Sequence, residues 1–135
     1  RGTIVGLTRG SSKAHIIRAT LEAIAYQARD VLEAMEADSG LELKKMKVDG
    51  GAVENNFLMQ FQSDMLGVPV FKSEFEELSA IGVAYLSGLT TGFWKSKDEL
   101  KSLNENSIIY KSKIKKSNRK KYYQGWKEAV NIFIK

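Results

Sequence analysis

The stretch VDGGAVENN, Val48 to Asn56, decides how this chain is read. An apolar residue and a carboxylate lead into two consecutive glycines, and a helix-like pattern follows. Without a Cβ, Gly50 and Gly51 can take a left-handed backbone or admit another molecule close to the chain. A helix beginning after Val53 would aim its free N–H groups and the positive end of its dipole at the same spot. Asn55 would sit in its first turn, near enough to reach the same ligand. Two readings fit these residues alone: a tight packing turn, and a cradle for a nucleotide.

Working outward, Gly2 to Thr8 (GTIVGLT) is β-branched and apolar, which predicts a buried strand. Ser11 or Ser12 is placed to cap the helix after it. In that helix Ile17, Leu21, Ile24, Ala28, Val31 and Met35 recur at steps of four, three, four, three and four, a single stripe. Gly40 supplies its left-handed stop. A second strand is predicted to end near Asp49. Beyond the glycines, Phe57, Leu58, Phe61 and Met65 share one helical face, with Gln60, Gln62 and Asp64 off it, and Gly67 closes the helix. Val68 to Lys72 reads as a short third strand, its Pro69 favouring an end or an edge. Leu78 to Leu89 reads as a helix whose Ala80, Gly82 and Ala84 would let it press on a sheet. Ser96 and Glu99 form a capping box. Asn104 to Asn118 reads as irregular and polar. Tyr122, Trp126, Ala129, Val130 and Phe133 mark a last amphipathic helix.

The order β-α-β-α-β-α predicts an α/β fold with a mostly parallel sheet and packed helices. Three strands make a thin sheet, so the expectation is part of a larger lobe whose first strands precede Arg1. Residues 1–103 would form the partial lobe, and 104–135 a polar, basic connector with the terminal helix. A chain that starts at arginine also fits an excised piece. In open α/β sheets ligands sit at the carboxyl ends of strands, where Asp49-Gly50-Gly51 falls.

The 135 residues fit one domain, and 43% hydrophobic content supports a core. No cysteine is present, which removes disulfides and thiolate metal sites. No apolar run is long enough to span a bilayer and no signal peptide is visible, so a cytoplasmic location is expected. The net charge is +5, yet Lys111 to Lys121 alone carries +7 without an acid, leaving the rest at −2. Basicity confined to one run reads as a solvated approach to the last helix, not as a nucleic-acid surface.

Other site chemistries are missing. The chain has no phosphate loop ending in Lys-Ser or Lys-Thr and no G-x-G-x-x-G. His15 is the only histidine, which leaves no histidine-based zinc site, and at the front of a helix it reads as a surface residue. Glu76 and Glu77 read as a helix-start pair serving the dipole. Asp49 could orient a turn or a water, but nothing near it makes it a base. No catalytic residue and no metal ligand is assigned.

The segment GTIVGL, seven residues, then HIIRATLE resembles the second signature of the carbohydrate kinases often called the FGGY family. Gly2, Ile4, Gly6, Leu7, His15, Ile16, Ala19, Thr20, Leu21 and Glu22 occupy its specified positions. RGTIVGLTRG, AYQARDVLEAMEADSG, VDGGAVENNFLMQFQSDMLGVPV and GFWKS look like the family's bacterial-type glycerol kinases, from Arg1 to about Leu103 and again at Gly125 to Val130. The resemblance implies the C-terminal part of an actin-like, ribonuclease-H-like kinase, with ATP and Mg²⁺ as cofactors and glycerol bound outside this chain. It implies that Gly51 and Ala52 lie against the nucleotide and that Asn55 faces the adenine side. It implies a homo-oligomer, for which Arg9 and the start of the long helix are the interface candidates. The chain alone is expected to be inactive, because the base, the glycerol contacts and the phosphate hairpin would lie elsewhere.

Three departures from the family pattern stand out. Within ELSAIGVA (Glu77 to Ala84), Leu78 stands where the family commonly has a threonine whose hydroxyl could cap that helix. Val70 to Glu76 is unlike the usual loop. Ser112 to Lys121 lacks the acid that in some relatives docks a phosphotransferase-system protein, which argues against that partner. The alternatives are another sugar kinase of the family, or a non-catalytic binding or regulatory module.

Overall fold

The computed structural model of the chain describes residues 2–73, 78–103 and 107–132. Helix α1 spans Lys13–Ser39. Ser12 is its N-cap, and His15 stands where a glutamate commonly closes a capping box: its Nδ1 accepts the Ser12 N–H at 3.1 Å and lies 2.8 Å from Ser12 Oγ. Gly40, at φ +68°, ends the helix in the left-handed conformation with its N–H on the Glu36 carbonyl.

Strand β1 (Met46–Val48) leads through the glycine turn into α2 (Asn56–Leu66), and the chain returns as β2 (Val70–Ser73) parallel to β1. Then come α3 (Leu78–Thr90), α4 (Lys97–Ser102), β3 (Ser107–Tyr110) and α5 (Lys116–Asn131). The sheet order is β1-β2-β3, with β3 antiparallel to β2. Pro69 therefore lies at the start of the central strand, where its carbonyl accepts Met46 N–H. The core joins Ala25 of α1, Val53 of the turn, Leu58, Met59, Phe61 and Met65 of α2, and Val70 of β2.

Several expectations are corrected. Gly2 to Thr8 forms no strand. No strand lies beside it among the described residues, Gly6 turns left-handed at φ +76°, and Thr8 to Ser11 closes a turn instead. The α1 stripe is not the packed face: Ile17, Ile24, Val31 and Met35 are exposed. The packed face carries Ala25, Tyr26, Arg29 and Asp30, a seam that apolar periodicity cannot see because much of it is polar. There Tyr26 stacks on Trp126 and meets Phe61 edge-on, Arg29 lies 3.8 Å from the Tyr123 ring centroid, and Asp30 accepts from Trp126 Nε1.

The polar face expected on α2 is buried instead. Ser63 Oγ lies within hydrogen-bond distance of the Val68 and Tyr110 carbonyls, and Asp64 accepts the Lys113 N–H at 2.6 Å. Residues 107–110 form β3 rather than an irregular stretch. Helix α3 packs against Trp94 rather than pressing on the sheet: a Cβ on Gly88 would sit 2.1 Å from the indole, while Ala80 and Ala84 are exposed. The capping box at α4 forms with one change, since Glu99 Oε2 accepts from Lys95 N–H while Ser96 Oγ accepts from Glu99 N–H. The last helix buries Tyr123, whereas Tyr122 is largely exposed. Phe133, Glu76, Glu77 and the loop before Leu78 lie outside the described residues. The basic run is not wholly solvated: Arg119 donates to the Asp64 carbonyl at 2.7 Å and lies over Gly67, whose φ of +80° closes α2.

Two outcomes follow from this packing. The exposed α1 stripe and the edge of β1, which carries no further strand among the described residues, are expected to make the isolated 135-residue chain associate. Its melting midpoint is expected to shift with protein concentration, and a monomeric, concentration-independent transition would contradict this. The second concerns Tyr123, whose hydroxyl donates to Asp30 at 2.5 Å and approaches Glu33 at 3.0 Å. Burial, then these carboxylates, hold its pKa well above the usual tyrosine value. A raised folded pKa means that this contribution is complete below about pH 10 and is lost as pH rises through the folded value. Tyr123→Phe is expected to cost about 1.5–3 kcal/mol at neutral pH, the range for hydrogen bonds to charged groups, and to flatten part of the alkaline loss seen in urea titrations.

Candidate functional site

The glycine turn sits where β1 ends and α2 begins, at the carboxyl edge of the parallel pair. Gly50 has φ +85° and ψ 172°, a conformation essentially reserved for glycine. Gly51–Glu54 then form a single 3₁₀ turn, closed by Val53 N–H on the Gly50 carbonyl (3.1 Å) and Asn55 N–H on the Ala52 carbonyl (3.3 Å). The two glycines therefore have different tasks. Gly50 supplies the unusual backbone. Gly51 does not need a positive φ, and a Cβ there would meet nothing within 4 Å. Gly51, Ala52 and Asn55 are all exposed, and the structure brings them together on this one turn.

Helix α2 begins later than the sequence predicts. Asn55 is its N-cap rather than a first-turn residue, with Oδ1 accepting Leu58 N–H at 3.0 Å. The cap uses the oxygen; the exposed amide nitrogen has no partner among the described residues. Asp49 is exposed at the strand end, consistent with a turn residue. Among the described residues no group of three metal-ligating side chains occurs. His15 serves the cap of α1, far along the chain from this turn.

Two contacts at the turn are invisible to sequence reasoning. Lys72 Nζ of β2 pairs with Glu54 at 2.6 Å, and the Tyr110 hydroxyl of β3 donates to Asn56 Oδ1 at 2.6 Å. Separations of 18 and 54 residues leave no local signal for either.

Residues 1–91 match the FGGY family of carbohydrate kinases, C-terminal domain, and the chain belongs to that family. It is 60% identical over 130 residues to a glycerol kinase of Petrotoga mobilis, covering 96% of this chain and 26% of that protein. It is 56% identical over all 135 residues to a glycerol kinase of Alkaliphilus metalliredigens, 27% of whose length it covers. Among solved structures it resembles Plasmodium falciparum glycerol kinase with ADP, at 36% identity and a TM-score of 0.88, covering 96% of this chain and 26% of that one. Gluconate kinase from Lactobacillus acidophilus, at 20% identity and a TM-score of 0.80 over 98% of this chain and 27% of that one, shares the fold. The fold is thus a portion of the actin-like, ribonuclease-H-like architecture of these kinases. The chain spans about a quarter of the length of the relatives it matches.

The different roles of the glycines can be separated by stability alone. Gly50→Ala is expected to cost about 1–3 kcal/mol, because alanine is strained at that backbone conformation. Gly51→Ala, in open space with an ordinary φ, is expected to stay within about 0.5 kcal/mol. Urea denaturation of both variants checks this, and equal losses would contradict it.

Proposed function

We propose that this chain supplies the adenosine side of the ATP site in a glycerol kinase, an enzyme that transfers a phosphoryl group from ATP to a glycerol hydroxyl. Gly51 and Ala52 lie against the nucleotide and Asn55 faces its adenine. One observation carries the reading: in a chain of this kinase family, the carboxyl end of β1, an exposed glycine turn and the start of α2 converge at Gly51. Glycerol kinase relatives at 56–60% identity, and an ADP-containing glycerol kinase of the same fold, support it.

In this reading the chain holds and orients the nucleotide. Phosphoryl transfer depends mostly on positioning and on electrostatic stabilisation. The backbone at Gly51 lets the nucleoside approach without a side chain between, and the Asn55 amide nitrogen is free to donate toward it. The charged clamp, the base and the glycerol contacts come from other parts of the enzyme. Mg²⁺ finds no ligand cluster among the described residues, and we assign none of them to it. A cytoplasmic homo-oligomer fits the same reading, since the exposed α1 stripe needs cover. Among the described residues no helix is long and apolar enough to cross a membrane.

In the full-length protein, Gly51→Val is expected to weaken ATP binding by roughly ten- to 150-fold, about 1.4–3 kcal/mol, while sparing glycerol. The loss arises from the side chain entering the nucleotide's space, since the Gly51 backbone is not left-handed. Asn55→Ala is expected to act in the same direction but more weakly. Calorimetric affinities for both ligands, with melting to verify folding, provide the check. Unchanged ATP affinity in a folded Gly51→Val protein would return the turn to a packing role.

A further inference from the structure

We infer that Lys72 and Tyr110 are positioning residues that fasten the turn on both sides of Asn55 and so fix the direction in which it faces the nucleotide; this rests on the reading of the turn given above.

The turn has little to hold it. Of its residues only Val53 enters the core, and 3₁₀ hydrogen bonds have poorer geometry than α-helical ones. The sheet supplies the remaining tethers. Lys72 lies on the central strand and is only 8% exposed. A lysine buried to that degree needs a partner for its charge, and its ammonium meets the Glu54 carboxylate. The Glu54 side chain is 56% exposed, so the buried lysine sets the geometry and the glutamate follows. Tyr110, on the neighbouring strand, donates its hydroxyl to Asn56 Oδ1. Residues 54 and 56 are thus tied to two different strands, with Asn55 between them. Neither tether uses the Asn55 side chain, which caps α2 through Oδ1. A shift of either strand would therefore reach Asn55 through its two neighbours in the chain.

The experiment uses the full-length protein and steady-state kinetics with ATP and glycerol varied separately. Lys72→Met and Tyr110→Phe are each expected to raise the nucleotide KM about fivefold, to lower kcat less, and to leave the glycerol KM in place. Lys72→Arg keeps the charge and is expected to restore most of the loss. Glu54→Gln combined with Lys72→Met is expected to be no worse than Lys72→Met alone, because both act through one contact. A nucleotide KM that stays unchanged while the melting temperature falls would overturn the inference, as would equal rises in both KM values or additive effects of the pair. If Lys72→Met does not fold, Tyr110→Phe carries the same test, since it removes one oxygen and keeps the ring. Gly51→Val separates the two levels. If it raises the nucleotide KM and the tether variants do not, only the fastening fails. If it too has no effect, the site reading fails and the inference falls with it.

Discussion

The burial of α2 on every side is the constraint on which the rest depends. Its apolar face meets α1 and the sheet, while Ser63 and Asp64 face the segment from Tyr110 to Arg119. A buried hydroxyl and a buried carboxylate cost free energy unless every contact is met. Backbone groups from β3, from the loop after it and from the neighbouring turn meet them, and Arg119 adds the contact to the Asp64 carbonyl. These polar contacts, with the aromatic packing of α5 on α1, hold residues 107–132 to the body. Because the same helix starts at the glycine turn, α2 anchors one end of the candidate site, and the contacts of Glu54 and Asn56 with the sheet add to it.

The long helix shows how polar chemistry can take a core position. Tyr26, Arg29, Asp30 and Glu33 form the seam that receives α5. Arg29 lies over the ring of Tyr123 and also donates to the Met65 carbonyl at the end of α2. The seam thus links three helices through aromatic faces and charged hydrogen bonds. Its apolar neighbours along the helix stay exposed, an arrangement suited to contact with further protein.

Local signals were legible in the sequence and long-range ones were not. Gly40 and Gly67 announced their helix stops, Ser96 announced its cap, and the glycine turn was placed correctly at a strand end. What failed involved partners distant in the chain. Gly2 to Thr8 had the composition of a strand but has no strand beside it among the described residues. Ser107–Tyr110 is a strand only because β2 pairs with it, and four residues between polar stretches carry too little alternation to reveal that. The α1 stripe misled because hydrophobic spacing is blind to a seam built from Arg29 and Asp30. At the site, the residue types were readable, but the division of labour between Gly50 and Gly51 depends on a backbone angle that no composition encodes.

The position of Asp64 and Ser63 has a consequence for how the chain is made. Their partners at Tyr110, Lys113 and Arg119 lie 47 to 55 residues further on. Before that segment is in place, Asp64 and Ser63 have only local partners among the described residues, Gln60 Nε2 and the Val68 carbonyl. The hydrophobic half of the helix can therefore dock on α1 and β2 before residues 110–119 close the polar half. The turn at the head of α2 thus gains its full support only once residues 110–119 have joined the fold.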